Sequence, residues 1–174
     1  MIRRLLIANR GEIAVRIARG ARELDIEPLG VYSEADRTAM HLDFMTDSAC
    51  IGPAGVTASY LNSASLLNAA KELRADAVHP GYGFLSERPA FAQAVKDATL
   101  VFVGPSPEAM EAMGSKRRAK AIARENDVPV VPGYDGDDLS AKRLASEAER
   151  IGTPLLIKAS GGGGGRGMRI VNDL

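Results

Sequence analysis

The sequence predicts an α/β fold: a doubly wound parallel sheet, followed by a second unit of different character. Three observations carry this. Short apolar runs of strand length alternate with segments of helical periodicity up to Gly104. After Gly104 the alternation gives way to two charged helical segments and a turn-rich stretch. Hydrophobic residues make up 45% and charged residues 25% of the 174 positions, a balance that supports a globular core rather than a disordered chain.

Each element has a local reason. Leu5-Leu6-Ile7-Ala8 is a short apolar strand. Gly11 to Leu24 has helical spacing, with Ile13, Ile17 and Leu24 on one face beside Ala14 and Ala21. Leu29 to Tyr32 reads as a second strand, Ala64 to Leu73 as a helix and Ala75 to Val78 as a third strand. Ala90 to Val95 is helical and Leu100 to Val103 is a fourth strand. Ser106-Pro107 then supplies an N-cap and a first-turn proline for a helix over Glu108 to Met113, with Gly114 as its stop.

The second unit begins between Gly104 and Ser115. Ser115 can cap a helix running to about Asn126, Val128 to Gly133 is extended, and Ser140 to Ile151 is a charged helix with Leu144 and Ala148 facing inward. Pro154 to Ser160 reads as a buried strand, Met168 to Val171 as another, and Asn172-Asp173 as a helix cap with no helix after it.

Between those two strands lie five consecutive glycines, Gly161 to Gly165, then Arg166 and Gly167. Ordering such a run costs about 1–2 kcal/mol per residue, so it is expected to stay mobile until a ligand takes its bare N–H groups. A Walker A loop would place lysine after the second glycine of its spacing, where this chain has Met168. A plain flexible hairpin is the bland alternative. Lys158, ending the first of these strands, supplies a cation suited to a phosphate chain or simply reaches out to solvent.

Other clusters leave alternatives open. Ala8-Asn9-Arg10-Gly11-Glu12 has only one glycine of a dinucleotide fingerprint, so a nicotinamide fold is disfavoured. His79-Pro80-Gly81-Tyr82-Gly83-Phe84-Leu85-Ser86-Glu87 follows a strand's carboxyl end, where open α/β sheets bind ligands; its aromatics could equally plug the core. His79 fits a satisfied structural histidine, and no metal-ligand set accompanies it. Lys116, Arg117 and Arg118 crowd a helix's first turn against its dipole, which suits either a bound anion or open solvent. Glu12 with Arg16, and Arg19 with Glu23, are spaced as i,i+4 pairs. Cys50 is the single cysteine, so no internal disulfide forms, and it is expected to be buried as a small hydrophobe. Lys+Arg and Asp+Glu both total 22, which gives no electrostatic argument for nucleic acid. No stretch reaches the roughly 18 apolar residues of a membrane span, and the amino terminus lacks a signal-peptide core.

Taken together, these motifs resemble the amino-terminal part of the biotin carboxylase family. The resemblance rests on IANRGEIAVRI near the start, ADR at Ala35 to Arg37, SYLN at Ser59 to Asn62, HPGYGFLSE, FVGPS at Phe102 to Ser106, MGSK ending at Lys116, VPVVPG ending at Gly133 and IKASGGGGGRGMR ending at Arg169. They run in order over nearly the whole chain, and the long glycine motif together with HPGYGFLSE is highly specific.

The resemblance implies a Rossmann-like domain over residues 1–112 that precedes the start of an ATP-grasp domain over residues 113–174. It implies a ligase that uses ATP and Mg²⁺ to activate bicarbonate as carboxyphosphate and then carboxylates biotin. That biotin is held on a biotin carboxyl carrier protein, and a carboxyltransferase component follows. It implies nucleotide binding by Lys116, Lys158, Gly163, Gly164, Gly165 and Met168, with biotin-side contacts from Tyr82 and Gly83. Arg16, Arg19 and Glu23 would fall at a homodimer contact. The location implied is cytoplasmic, or the mitochondrial matrix in a eukaryote.

Family members continue beyond position 174, and the catalytic residues and metal carboxylates are expected there. On this reading the chain looks truncated and is inactive alone. Another ATP-grasp ligase, or a non-catalytic assembly module keeping the amino-terminal fold, are the alternatives.

Overall fold

The structure is a computed structural model that describes residues 1–158 and 167–173, with Lys116 by its backbone only. The chain divides into two compact units, Met1–Ser115 and Lys116–Leu174.

In the first unit the strands are β1 (Arg4–Ile7), β2 (Glu27–Tyr32), β3 (Asp47–Cys50), β4 (Ala77–His79) and β5 (Val101–Phe102). They form one parallel sheet in the order β3-β2-β1-β4-β5. The helices are α1 (Gly11–Glu23), α2 (Ser63–Glu72), α3 (Pro89–Asp97) and α4 (Pro107–Gly114).

Side chains alternate across a strand, so β1 feeds both layers. Leu5 and Ile7 pack with Ala14, Ala18 and Ala21 of α1. Leu6 packs on the opposite face with Leu66 of α2 and Phe91 and Val95 of α3. Helices therefore cover both faces, as the alternation predicts.

The inward stripe of α1 is built on small residues, which lets the helix lie close to the sheet. Leu24 is not part of it: it caps the helix just after Glu23, off the helical backbone, and stands 72% exposed. Ser106 caps α4 as expected, accepting from the Ala109 N–H at 3.2 Å, though Gly114 is the helix's last residue rather than its stop. β3 is absent from the sequence reading. Its Asp-Ser-Ala-Cys stretch buries only Ala49, so no apolar alternation marks it; it is held by parallel pairing to β2. Cys50, expected inside, is exposed because it alternates outward from Ala49. The pairs Glu12–Arg16 and Arg19–Glu23 do not form; Glu12 is engaged by Tyr82, and the Arg19 guanidinium lies 5.1 Å from the Phe44 ring centroid.

The second unit holds α5 (Lys116–Glu125), α6 (Ala141–Ile151) and a two-stranded antiparallel sheet of β6 (Leu155–Ile157) and β7 (Arg169–Val171). An acidic stretch between the helices answers the cations of α5: Arg117 pairs with Asp137, and Arg124 with Asp135 at 3.2 Å. Arg117 is thus paired within the chain.

Ser140 caps α6 by accepting from the Arg143 N–H at 3.3 Å. Leu144 is exposed, and the buried residue of that helix is Glu147, gripped by Arg143 and Arg150 at 2.7 Å each. Two guanidinium partners offset the cost of burying that carboxylate. β6 and β7 flank the glycine run as predicted, but β6 is not a buried strand: Leu156 and Ile157 are exposed. A two-stranded ribbon leaves its apolar side chains uncovered unless another layer packs on it.

Candidate functional site

In the five-stranded sheet the connection from β1 runs outward to β2, and the chain then returns to the other side of β1 as β4. The crevice outside the carboxyl ends of β1 and β4 is therefore the topological switch point, where open α/β sheets receive ligands. Two segments meet there: the turn from β1 into α1, and the loop 80–88 after β4.

The turn grips the loop at three places. Asn9 is buried, and its Nδ2 donates to the carbonyl oxygens of Pro80 and Tyr82, both at 2.8 Å. Its Oδ1 accepts from the Arg10 N–H at 2.9 Å, which uses both ends of the amide. Glu12 accepts a hydrogen bond from the Tyr82 hydroxyl. The Arg10 guanidinium lies over the rings of Tyr60 and Phe84, 5.1 Å and 5.8 Å from their centroids. Gly11 opens α1 at a φ of 65°, in the left-handed region that a side chain rarely adopts.

Arg10 is itself anchored. Asp36 Oδ2 accepts from Arg10 at 3.0 Å, from Ser33 Oγ at 2.8 Å and from the Tyr60 hydroxyl at 2.8 Å. Burial pushes the Asp36 carboxyl up, but the bonds from Tyr60, Ser33 and Arg10 and the Arg10 charge outweigh it and hold it below the usual range. Burial, then the bond to Asp36, pushes the Tyr60 hydroxyl up. An open cavity of about 320 Å³ lies beside this network, lined by Arg10, Glu12, Asp36, Met40 and His41.

The loop's two aromatics differ in burial. Phe84 stacks on Tyr60 at 5.1 Å and 10°, plugging the core. Tyr82 is 61% exposed. The His79 Nδ1 accepts from the Gly81 N–H at 3.0 Å, and burial pushes its imidazole down. A second open cavity of about 340 Å³ is lined by Gly83, Phe84, Ser86, Glu87 and Arg88.

Of the other expected site residues, Lys116 begins α5. Lys158 directly follows β6 and is exposed, so no desolvation cost bears on it. Met168 directly precedes β7 and is exposed. Because Ile157 pairs with Arg169, Lys158 and Met168 stand one step further along the hairpin, at its glycine end. Gly163, Gly164 and Gly165, and the expectation of a mobile glycine loop, lie outside the described residues. Among the described residues no group of three or more His, Cys, Asp or Glu side chains could hold a metal, and no helix is long and apolar enough to cross a membrane.

Sequence reasoning missed Asn9, Glu12, Asp36 and Tyr60. A polar Asn directly between an apolar strand and the glycine that opens a helix was the available signal.

A Rossmann-type parallel sheet whose switch point is filled by its own loop, without a glycine fingerprint, sets this chain apart from the dinucleotide oxidoreductases. Comparison with known proteins gives the family. Residues 1–110 match the family model of the biotin carboxylase N-terminal domain, and residues 115–174 match that of the carbamoyl-phosphate synthase L chain ATP binding domain. The chain belongs to the biotin carboxylase family. It is 50% identical over 174 residues to a biotin carboxylase of Allochromatium vinosum, covering 99% of this chain and 39% of that protein. It is 48% identical over 170 residues to the mitochondrial methylcrotonoyl-CoA carboxylase subunit alpha of Dictyostelium discoideum, covering 98% of this chain and 24% of that protein. Among solved structures, a Campylobacter jejuni biotin carboxylase in complex with β-γ-ATP superposes with a TM-score of 0.89 at 45% identity, over 99% of this chain and 39% of that one. The biotin carboxylase domain dimer of Hydrogenobacter thermophilus 2-oxoglutarate carboxylase, bound to MgADP and bicarbonate, gives 0.83 at 40% identity, over 99% of this chain and 38% of that one. The chain thus spans about two fifths of the biotin carboxylases it matches.

Proposed function

We propose that this chain contributes the amino-terminal part of a biotin carboxylase, an ATP-dependent ligase that carboxylates biotin carried on a biotin carboxyl carrier protein. The observation that carries the reading is the exposed Tyr82 held at the switch point of the sheet. It sits in a chain that aligns over 99% of its own length, at 50% identity, with 39% of a biotin carboxylase. Residues 1–112 act as the Rossmann-like domain, and residues 113–174 as the start of the ATP-grasp.

On this reading Tyr82 and Gly83 contact the biotin side of the reaction. Lys116, Lys158, Gly163, Gly164, Gly165 and Met168 hold the nucleotide. Lys158 fits this role: it is exposed and stands opposite Met168 at the hairpin's glycine end, where its ammonium is accessible to a phosphate. ATP supplies the phosphoryl group that activates bicarbonate. The described residues offer no carboxylate cluster for Mg²⁺, so no residue is assigned to the metal. Arg16, Arg19 and Glu23 on the exposed face of α1 suit a contact with a second copy of the chain. The carrier protein and a carboxyltransferase are the further partners, in the cytoplasm or the mitochondrial matrix.

Calorimetric titration with ATP tests the nucleotide half of the reading. Binding that weakens about tenfold or more on Lys158→Ala is expected, as for loss of a charge-assisted bond. A chain that dimerises without any ATP affinity would instead be an assembly module.

A further inference from the structure

We propose that Asn9 and Glu12 are positioning residues that hold Tyr82 in place for a flat cyclic urea, the chemical class of the carboxyl acceptor; this rests on the placement of Tyr82 under Proposed function. The geometry supports it from both ends of the residue. Asn9 Nδ2 fixes the Tyr82 carbonyl at 2.8 Å and the Pro80 carbonyl at 2.8 Å, so the backbone on which Tyr82 sits is tied to the end of β1. Glu12, one helical residue into α1, takes the Tyr82 hydroxyl. With backbone and hydroxyl both held, the ring loses its χ1 and χ2 freedom before any ligand arrives, and binding no longer has to supply that ordering.

The clamp also decides what Tyr82 offers. Its hydroxyl hydrogen is committed to Glu12, and its carbonyl to Asn9. What remains open is the face of an exposed aromatic ring. A planar, weakly polar ring stacks on such a face, whereas a phosphate or a carboxylate is repelled by its π-cloud and by the neighbouring Glu12. Close approach of turn and loop is built in: a Cβ on Gly81 would stand 2.7 Å from Asn9 Nδ2.

The experiment is steady-state kinetics with free biotin as the varied substrate, on the complete gene product that contains these residues. Glu12→Ala and Tyr82→Phe each delete the hydroxyl contact and should raise the KM for biotin by about 5-fold, with the KM for ATP unchanged. Glu12→Gln, which keeps an acceptor, should restore it. Asn9→Ala should give a larger rise. If Asn9→Ala does not fold, the solvent-exposed Glu12 variants still decide. Tyr82→Ala separates the two ideas. If Tyr82→Ala raises the biotin KM while Glu12→Ala leaves it unchanged, the positioning role is overturned and the placement of Tyr82 stands. If Tyr82→Ala itself has no effect on the biotin KM, the placement fails and the positioning role with it.

Discussion

The Tyr60 hydroxyl donates to Asp36 Oδ2 at 2.8 Å and at the same time accepts from the Ser33 N–H at 3.2 Å. One buried oxygen thus satisfies a carboxylate and a backbone donor from the turn that follows β2. Tyr60→Phe keeps the ring stacked on Phe84 but leaves the Ser33 N–H without its acceptor. A loss of about 1–3 kcal/mol is expected, the cost of an unsatisfied buried donor. Urea denaturation followed by circular dichroism measures it, and an unchanged midpoint would show that another acceptor reaches Ser33.

Gly81 and Gly83 allow a controlled comparison. Both have left-handed backbones, with φ of 67° and 68°. A Cβ at Gly81 runs into Asn9 at 2.7 Å, whereas one at Gly83 meets nothing within 4 Å. Gly83→Ala should therefore lose only the backbone strain, about 1 kcal/mol, and Gly81→Ala more than that, up to about 3 kcal/mol. Equal melting temperatures for the two variants would contradict the tight packing of turn against loop.

His79 gives the pH dependence its sign. Burial lowers its pKa from the ordinary 6.5, so the unfolded chain binds the proton first as pH falls. The stability carried by its neutral form is complete above 6.5 and is lost as pH drops toward the folded value. Protonation also removes the lone pair that accepts the Gly81 N–H. The denaturation midpoint should decrease as pH drops below 6.5, with a shallower slope in His79→Gln. Identical slopes would assign the effect to other groups.

How much of this was legible in the sequence varies by residue. β1, α1, α3 and β4 announce themselves through apolar runs and helical spacing, because burial and periodicity are local properties. β3 does not, since Ala49 is its only buried side chain. The grip of Asn9 on Pro80 and Tyr82 spans 71 and 73 positions, and no local spacing encodes it. Tyr82 and Phe84 look alike in the sequence, and only the packing of Phe84 on Tyr60 separates the structural ring from the exposed one. The same holds for Glu147, which reads as one more surface charge until its two arginines are seen. Of the expected nucleotide residues, Lys158 and Met168 are located at the hairpin end, while Gly163, Gly164 and Gly165 lie outside the described residues.

Residues 1–174 expressed alone should bind ATP without turning it over, because they span about two fifths of the biotin carboxylases they match and phosphoryl transfer needs a complete set of positioning and metal-binding groups. Phosphate release in the presence of bicarbonate and biotin measures this. Clear biotin-stimulated release by that polypeptide would show that the residues suffice.

Biotin carboxylation is the activity proposed for the protein to which these residues belong. Its most direct test is phosphate release from MgATP by the complete gene product containing these residues, with bicarbonate present, compared with and without free biotin. Release that biotin stimulates and that Lys158→Ala abolishes is expected. Release indifferent to biotin, or none at all from a folded protein that binds ATP, would contradict it.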